Sequence, residues 1–128
     1  MIMKAQELDK TRYSDAELAE FETVIDAKLA QAREQLDFYR GQIDDIRMSA
    51  DAKPKNLDDA VVSTETERLY TMANRQGKLV KHLENAKLRV KNKVYGICRV
   101  SGELIPKERL MAVPHATLSI AAKQGRRR

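Results

Sequence analysis

The residues best equipped for chemistry are a pair of carboxylates in mid-chain, a lone thiol and two imidazoles. Asp58 and Asp59 stand together in Asn56-Leu57-Asp58-Asp59-Ala60. Two adjacent negative groups can approach a metal ion, a cationic side chain or a mobile loop. They can equally cap a helix N-terminus, where Asp satisfies orphan N–H groups and complements the dipole. Cys98 is the single cysteine, which excludes an intrachain disulfide and a four-cysteine zinc site. It reads as a small buried apolar residue. His82 and His115 are the only histidines, and neither stands at metal-ligand spacing from Cys98. There is no Gly-rich phosphate loop and no Ser/His/Asp grouping, so an independent enzyme is the least expected function.

Elements of some length must carry these groups. Ser14-Asp15-Ala16-Glu17 has the form of a capping box, with a hydroxyl for one orphan N–H and a Glu three residues on that reaches back. A heptad follows. Leu18, Ile25, Ala32, Tyr39 and Ile46 recur every seven residues, and Leu29, Leu36 and Ile43 interleave, with Glu22 breaking the pattern. That is an apolar seam for a partner helix. It stops before Pro54, which disfavours helix at Lys53. A second helix is expected from Leu57 or Asp58 to about Asn92, with Val62, Leu69, Leu83 and Val90 on its seam and Met72, Leu79 and Ala86 between them. Gln76 sits on the seam as a polar register residue. Two helices of roughly 35 residues give rods of about 50 Å. One short connection then folds them into an antiparallel coiled-coil hairpin.

Charge supports that pairing. Asp15 to Asp26 holds five acids and no base, while Lys78 to Lys93 holds six bases and one acid. An antiparallel hairpin lays these stretches side by side, as flanking ion pairs or with the basic stretch contributing to an anion site. The net charge is +5, much of it in Arg126-Arg127-Arg128, which leaves nucleic-acid binding open without favouring it. No stretch approaches the roughly 20 apolar residues of a membrane span, and the start meets polar residues too soon for a signal peptide. A cytoplasmic monomer with no membrane association is expected.

From Val94 the pattern changes. Tyr95 to Pro106 alternates Val, Ile and Tyr around Ser101-Gly102, as in a short β-hairpin. A final helix is expected over Ala116 to Gln124. The organisation is therefore a lead-in over 1–13, a hairpin over 14–93 with its tip near 50–60, a small domain over 94–123 and a basic tail over 124–128. The fold class is mainly α, with the small domain of β-hairpin plus helix at the hairpin's base.

Tyr95-Gly96-Ile97-Cys98-Arg99-Val100-Ser101-Gly102-Glu103-Leu104-Ile105 and Arg109-Leu110-Met111-Ala112-Val113-Pro114-His115-Ala116-Thr117-Leu118-Ser119-Ile120 resemble the pattern of the DksA/TraR family of bacterial transcription factors. The two long helices resemble that family more loosely. The resemblance places the family's four zinc cysteines at Cys98, Ser101, Ser119 and Ala122, so the finger is degenerate. Tetrahedral zinc wants about four N, S or O ligands, and zinc is not expected. Without metal the small domain loses a folding contribution. Ile97, Val100, Leu104, Ile105, Leu110, Met111, Leu118 and Ile120 are expected to replace it by burial.

The resemblance also implies a function. In the family a D-x-x-D-x-A pattern at the coiled-coil tip enters the secondary channel of bacterial RNA polymerase and alters promoter-complex stability. Here Lys55 stands at the first acidic position, Asp58 at the second and Ala60 at the alanine, with Asp59 adding a carboxylate. For the alarmone ppGpp, an effector of the stringent response, the family's basic positions fall on Arg75 and Lys123, which match, and on His82 and Val113, which depart. Arg75, His82 and Lys123 are thus candidate contacts for ppGpp or the polymerase rim. Two other functions compete. A transcript-cleavage factor would use Asp58 and Asp59 to hold the polymerase's metal, but the small domain does not resemble that family's. A basic helical nucleic-acid binder would use Lys78 to Lys93 and the tail, yet no aromatic residue interleaves that run to stack bases.

Overall fold

A computed structural model describes the backbone of residues 12–52 and 59–126 and the side chains of residues 12–49 and 64–124. Helix α1 spans Asp15–Ala52, α2 Asp59–Lys91, α3 Lys107–Ala112 and α4 Ile120–Arg126. The expected Lys53 to Leu57 tip, Asp58, the lead-in up to Thr11 and the end of the basic tail lie outside the described residues. So do the side chains of Asp59, Ala60 and Val62.

The start of α1 follows its capping box. The Ser14 N–H donates to Glu17 Oε1 at 3.1 Å, and the Glu17 N–H donates to Ser14 Oγ at 3.2 Å. The end of α2 is a Schellman turn. The Val94 N–H reaches the Arg89 carbonyl and the Lys93 N–H the Val90 carbonyl, both at 3.0 Å. Such a turn needs a left-handed residue, and Lys93 supplies it at φ 63°.

The chain divides into two compact units, one of Lys28–Lys81 and one of Met1–Ala27 with His82–Arg128. In the first, Leu36 and Ile43 of α1 pack with Leu69 and Ala73 of α2, and Tyr39, Ile46 and Val80 flank them half-buried. Ala73 is more deeply placed than the expected Met72. Gln76 is only partly buried, so its polar end costs little there.

In the second unit Leu18, Phe21 and Ile25 of α1 bury with Leu83, Ala86 and Val90 of α2. Asp26 pairs with Lys87 at 2.8 Å and Asp15 with Lys93 at 2.7 Å. The pairing descends on one stretch as it ascends on the other, which is the antiparallel arrangement that the charge pattern requires.

The small domain departs from expectation in three ways. The β-hairpin reduces to one antiparallel bridge, Ile97 to Leu104, and no strand forms among the described residues. The cause is where the backbone donors go. The Arg99 N–H bonds the Thr117 carbonyl at 2.9 Å and the Ser101 N–H points at Cys98 Sγ, so neither extends a ladder. The final helix starts at Ile120 rather than Ala116, because Ser119 caps it. Of the apolar residues expected to bury, Ile105 and Leu110 do so fully, whereas Val100 is 64% and Ile120 54% exposed. Tyr95 joins the core in their place, beside Cys98, which is buried as expected.

Candidate functional site

The four positions that carry zinc cysteines in the resembling family form one cluster, built from a turn and a helix cap. Residues 98–102 curl back so that the Gly102 N–H bonds the Cys98 carbonyl at 2.9 Å, with Gly102 at φ 73°. The Ser101 N–H then donates to Cys98 Sγ at 3.5 Å, and the Ser119 N–H does so at 3.4 Å from the other side. Ser119 Oγ lies 3.8 Å from the sulfur and accepts the Ala122 N–H at 3.1 Å. That last bond is an ordinary N-cap.

These donors favour a thiolate. Bonds from Ser101, then from the Ser119 backbone, pull the Cys98 thiol down to about 6, against the opposing effect of its burial. The sulfur is nonetheless closed off, since Cys98 is 1% exposed. The donor set does not fit tetrahedral zinc. It offers one sulfur, two hydroxyls that are poor ligands at neutral pH, and Ala122, which offers nothing. Among the described residues no group of three or more His, Cys, Asp or Glu could hold a metal ion.

A second cluster lies between α2 and the loop after α3. The His82 and His115 rings stack at 5.8 Å and 11°. Burial, with the charges of His82 and Arg89, holds His115 below the usual imidazole range. Arg89, in the last turn of α2, is itself weakened as a base by burial. His82 is one of the candidate contacts named from the resemblance, but its stacking partner His115 is 33 positions away, and no local pattern announces the pair.

Of the candidate contacts, Arg75 is exposed on α2, His82 is exposed but stacked on His115, and Lys123 is exposed on α4. Asp59 and Ala60 open α2. Asp58 lies outside the described residues.

The small domain is held to the helices by aromatic rings. Tyr13 and Phe21 meet edge-on at 5.0 Å, and Phe21 and Tyr95 lie tilted at 5.1 Å. The Tyr95 hydroxyl donates to the Pro114 carbonyl at 2.7 Å. Phe21 is 1% exposed and was not on the expected seam. A two-helix seam needs a narrow stripe, but here α1 also faces the small domain, which widens the buried stripe.

Comparison with known proteins agrees with this architecture. Residues 93–128 match the prokaryotic dksA/traR C4-type zinc finger. A curated protein of Caulobacter vibrioides (strain NA1000 / CB15N), the RNA polymerase-binding transcription factor DksA, is 39% identical over 64 residues, which is 48% of this chain and 45% of that protein. The same holds for the DksA of strain ATCC 19089 / CIP 103742 / CB 15. The matched segment therefore spans less than half the length of these curated relatives. Among solved structures, transcription factor DksA2 from Pseudomonas aeruginosa superposes with a TM-score of 0.80 at 23% identity, over 96% of this chain and 88% of that one. The RNA polymerase binding protein and transcriptional regulator Dks from Chlamydia trachomatis L2 gives a TM-score of 0.51 at 23% identity, over 90% and 92%. Those two likenesses speak for the fold of the chain, and the finger match speaks for its C-terminal residues 93–128.

Proposed function

We propose that this protein binds bacterial RNA polymerase directly and regulates transcription without catalysing a reaction of its own. The observation that carries the reading is the pairing of an antiparallel helical hairpin with a C-terminal segment matching the dksA/traR finger, in a chain whose curated relatives are named RNA polymerase-binding transcription factors. The tip carrying Asp58, Asp59 and Ala60 enters the secondary channel and acts near the polymerase active site, where its carboxylates reach a metal ion or a cationic side chain. The result is a change in promoter-complex stability during initiation. Arg75, His82 and Lys123 contact the polymerase rim or ppGpp, which ties the protein to the stringent response. The finger does this without zinc, and the protein acts in the cytoplasm as a monomer.

Purified polymerase, wild-type protein and the variants Asp58→Asn and Ala60→Thr test the reading. Binding persists in both variants while the effect on promoter-complex lifetime falls. An unchanged effect in both variants overturns the tip assignment. RNA cleavage in stalled complexes would instead identify a cleavage factor.

A further inference from the structure

Opposite its buried seam, α1 carries a continuous outward stripe. Gln31, Glu34, Phe38, Gly41, Asp45 and Met48 follow one another at alternating steps of three and four, the spacing of one helix face, and all are exposed. Leu36 and Ile43 are buried on the other side. Such a face ordinarily holds polar residues, yet Phe38 is 59% and Met48 72% exposed. The Phe38 ring meets the Tyr39 ring edge-on at 5.7 Å. Tyr39 is itself half-buried against the seam cluster, so the exposed ring is braced. The charges of the stripe have one sign. Glu34 and Asp45 are on it, Asp37 and Asp44 border it, and it holds no base. Arg33, Arg40 and Arg47 each stand three or four residues from Leu36 or Ile43, on the flank nearer the seam. The residues three and four away from Phe38 are Glu34, Gln35, Gly41 and Gln42. A Cβ on Gly41 would meet nothing within 4 Å. Glycine weakens a helix interior, and no packing within the described residues requires it here.

We propose that this stripe, centred on Phe38, docks a basic, arginine-bearing segment of a protein partner. A guanidinium lies over the face of the Phe38 ring and donates to the Glu34 carboxylate, since residues four apart on a helix are neighbours. Both contacts suit arginine. Its planar ion stacks on an aromatic ring and its fork matches a carboxylate, whereas the lysine ammonium is a strongly hydrated point charge. The open space at Gly41 lets the docked chain lie close beside the ring. Asp45 receives a second base about a turn further along. The inference goes beyond the polymerase reading and does not depend on it, because no residue of the stripe is among the tip or rim positions named there.

The test uses the full chain, isotopically labelled, and follows its amide signals by NMR. The probes are a synthetic amphipathic helical peptide with arginines along one face, and the same peptide with every arginine replaced by lysine. The arginine peptide shifts the amides from Glu34 to Asp45 saturably, and the lysine peptide binds about fivefold more weakly. Phe38→Ser weakens the arginine peptide by about fivefold, the scale of a lost cation–π contact, and removes its advantage over lysine. Glu34→Gln weakens it too. Both residues are exposed, so both variants keep the parent's amide spectrum elsewhere. The proposal is overturned if the two peptides bind alike, which net charge alone would produce, or if the shifts fall on Asp15 to Asp26 instead. It is also overturned if Phe38→Ser binds like the parent. Should Phe38→Ser fail to fold, an undiminished affinity in Glu34→Gln overturns it. Shifts of the same amides with protein concentration, in the absence of peptide, would put a second copy of the chain on the stripe and overturn it as well.

Discussion

The Tyr13 hydroxyl donates a hydrogen bond to the carbonyl oxygen of Ile105, a residue 92 positions along the chain. The bond ties the residue that precedes the α1 capping box to the small domain. The Tyr13 ring also fills the space over Gly96: a Cβ there would lie 2.7 Å from Tyr13 Cε2. Gly96 has φ +81° as well, a region that costs a side-chain-bearing residue about 1–2 kcal/mol. Gly96→Ala therefore combines backbone strain with a clash, and destabilises the fold by about 2 kcal/mol or more in urea unfolding. Tyr13→Phe keeps the ring and loses the bond, at a cost of about 1 kcal/mol.

Lys93 closes the Schellman turn of α2 in a left-handed conformation that glycine adopts freely. Lys93→Gly removes strain of about 1 kcal/mol while giving up the exposed contact with Asp15. The melting temperature rises in moderate salt, where the lost ion pair is already screened.

On the proposed zinc-free reading, in which hydrogen bonds to Cys98 Sγ and a helix cap hold the small domain, a chelator leaves the melting temperature unchanged. Ser119→Ala removes the bond to the Ala122 N–H and costs about 1 kcal/mol. Thermal unfolding with and without EDTA, in parent and variant, reads both outcomes. A chelator-induced fall in the parent would mean that a metal is bound after all.

His115 links stability to pH. Burial and the facing charges of His82 and Arg89 on α2 hold its folded midpoint below the ordinary 6.5. Between that lowered midpoint and 6.5 the unfolded chain binds more protons than the folded one. Stability is thus full above the ordinary imidazole midpoint and is lost as pH falls toward the folded one. Urea unfolding in phosphate-free buffer at descending pH shows this slope, and His115→Gln removes its share of it.

Much of the architecture was readable because local rules dictated it. Ser14 and Glu17 form the capping box expected from their spacing, and Leu18, Ile25, Leu29, Ala32, Leu36 and Ile43 are all buried. What escaped reading depended on contacts distant in sequence. Phe21 is buried because Tyr13 and Tyr95 reach it. The hairpin around Ser101-Gly102 shrinks to a bridge because its donors turn to Cys98 Sγ and to Thr117. The His82–His115 stack joins a helix to a loop, and neither residue's neighbours in sequence foretell it. At Ser119 the family pattern marked a lost zinc position, whereas the side chain acts as a helix cap.

Titration of labelled protein into purified bacterial RNA polymerase, beside an equal titration into naked promoter DNA across a range of salt, tests the central claim most directly. The account predicts saturable binding to polymerase and only weak binding to DNA with a flat salt response. No binding to polymerase, or tight DNA binding that falls steeply with salt, would contradict it.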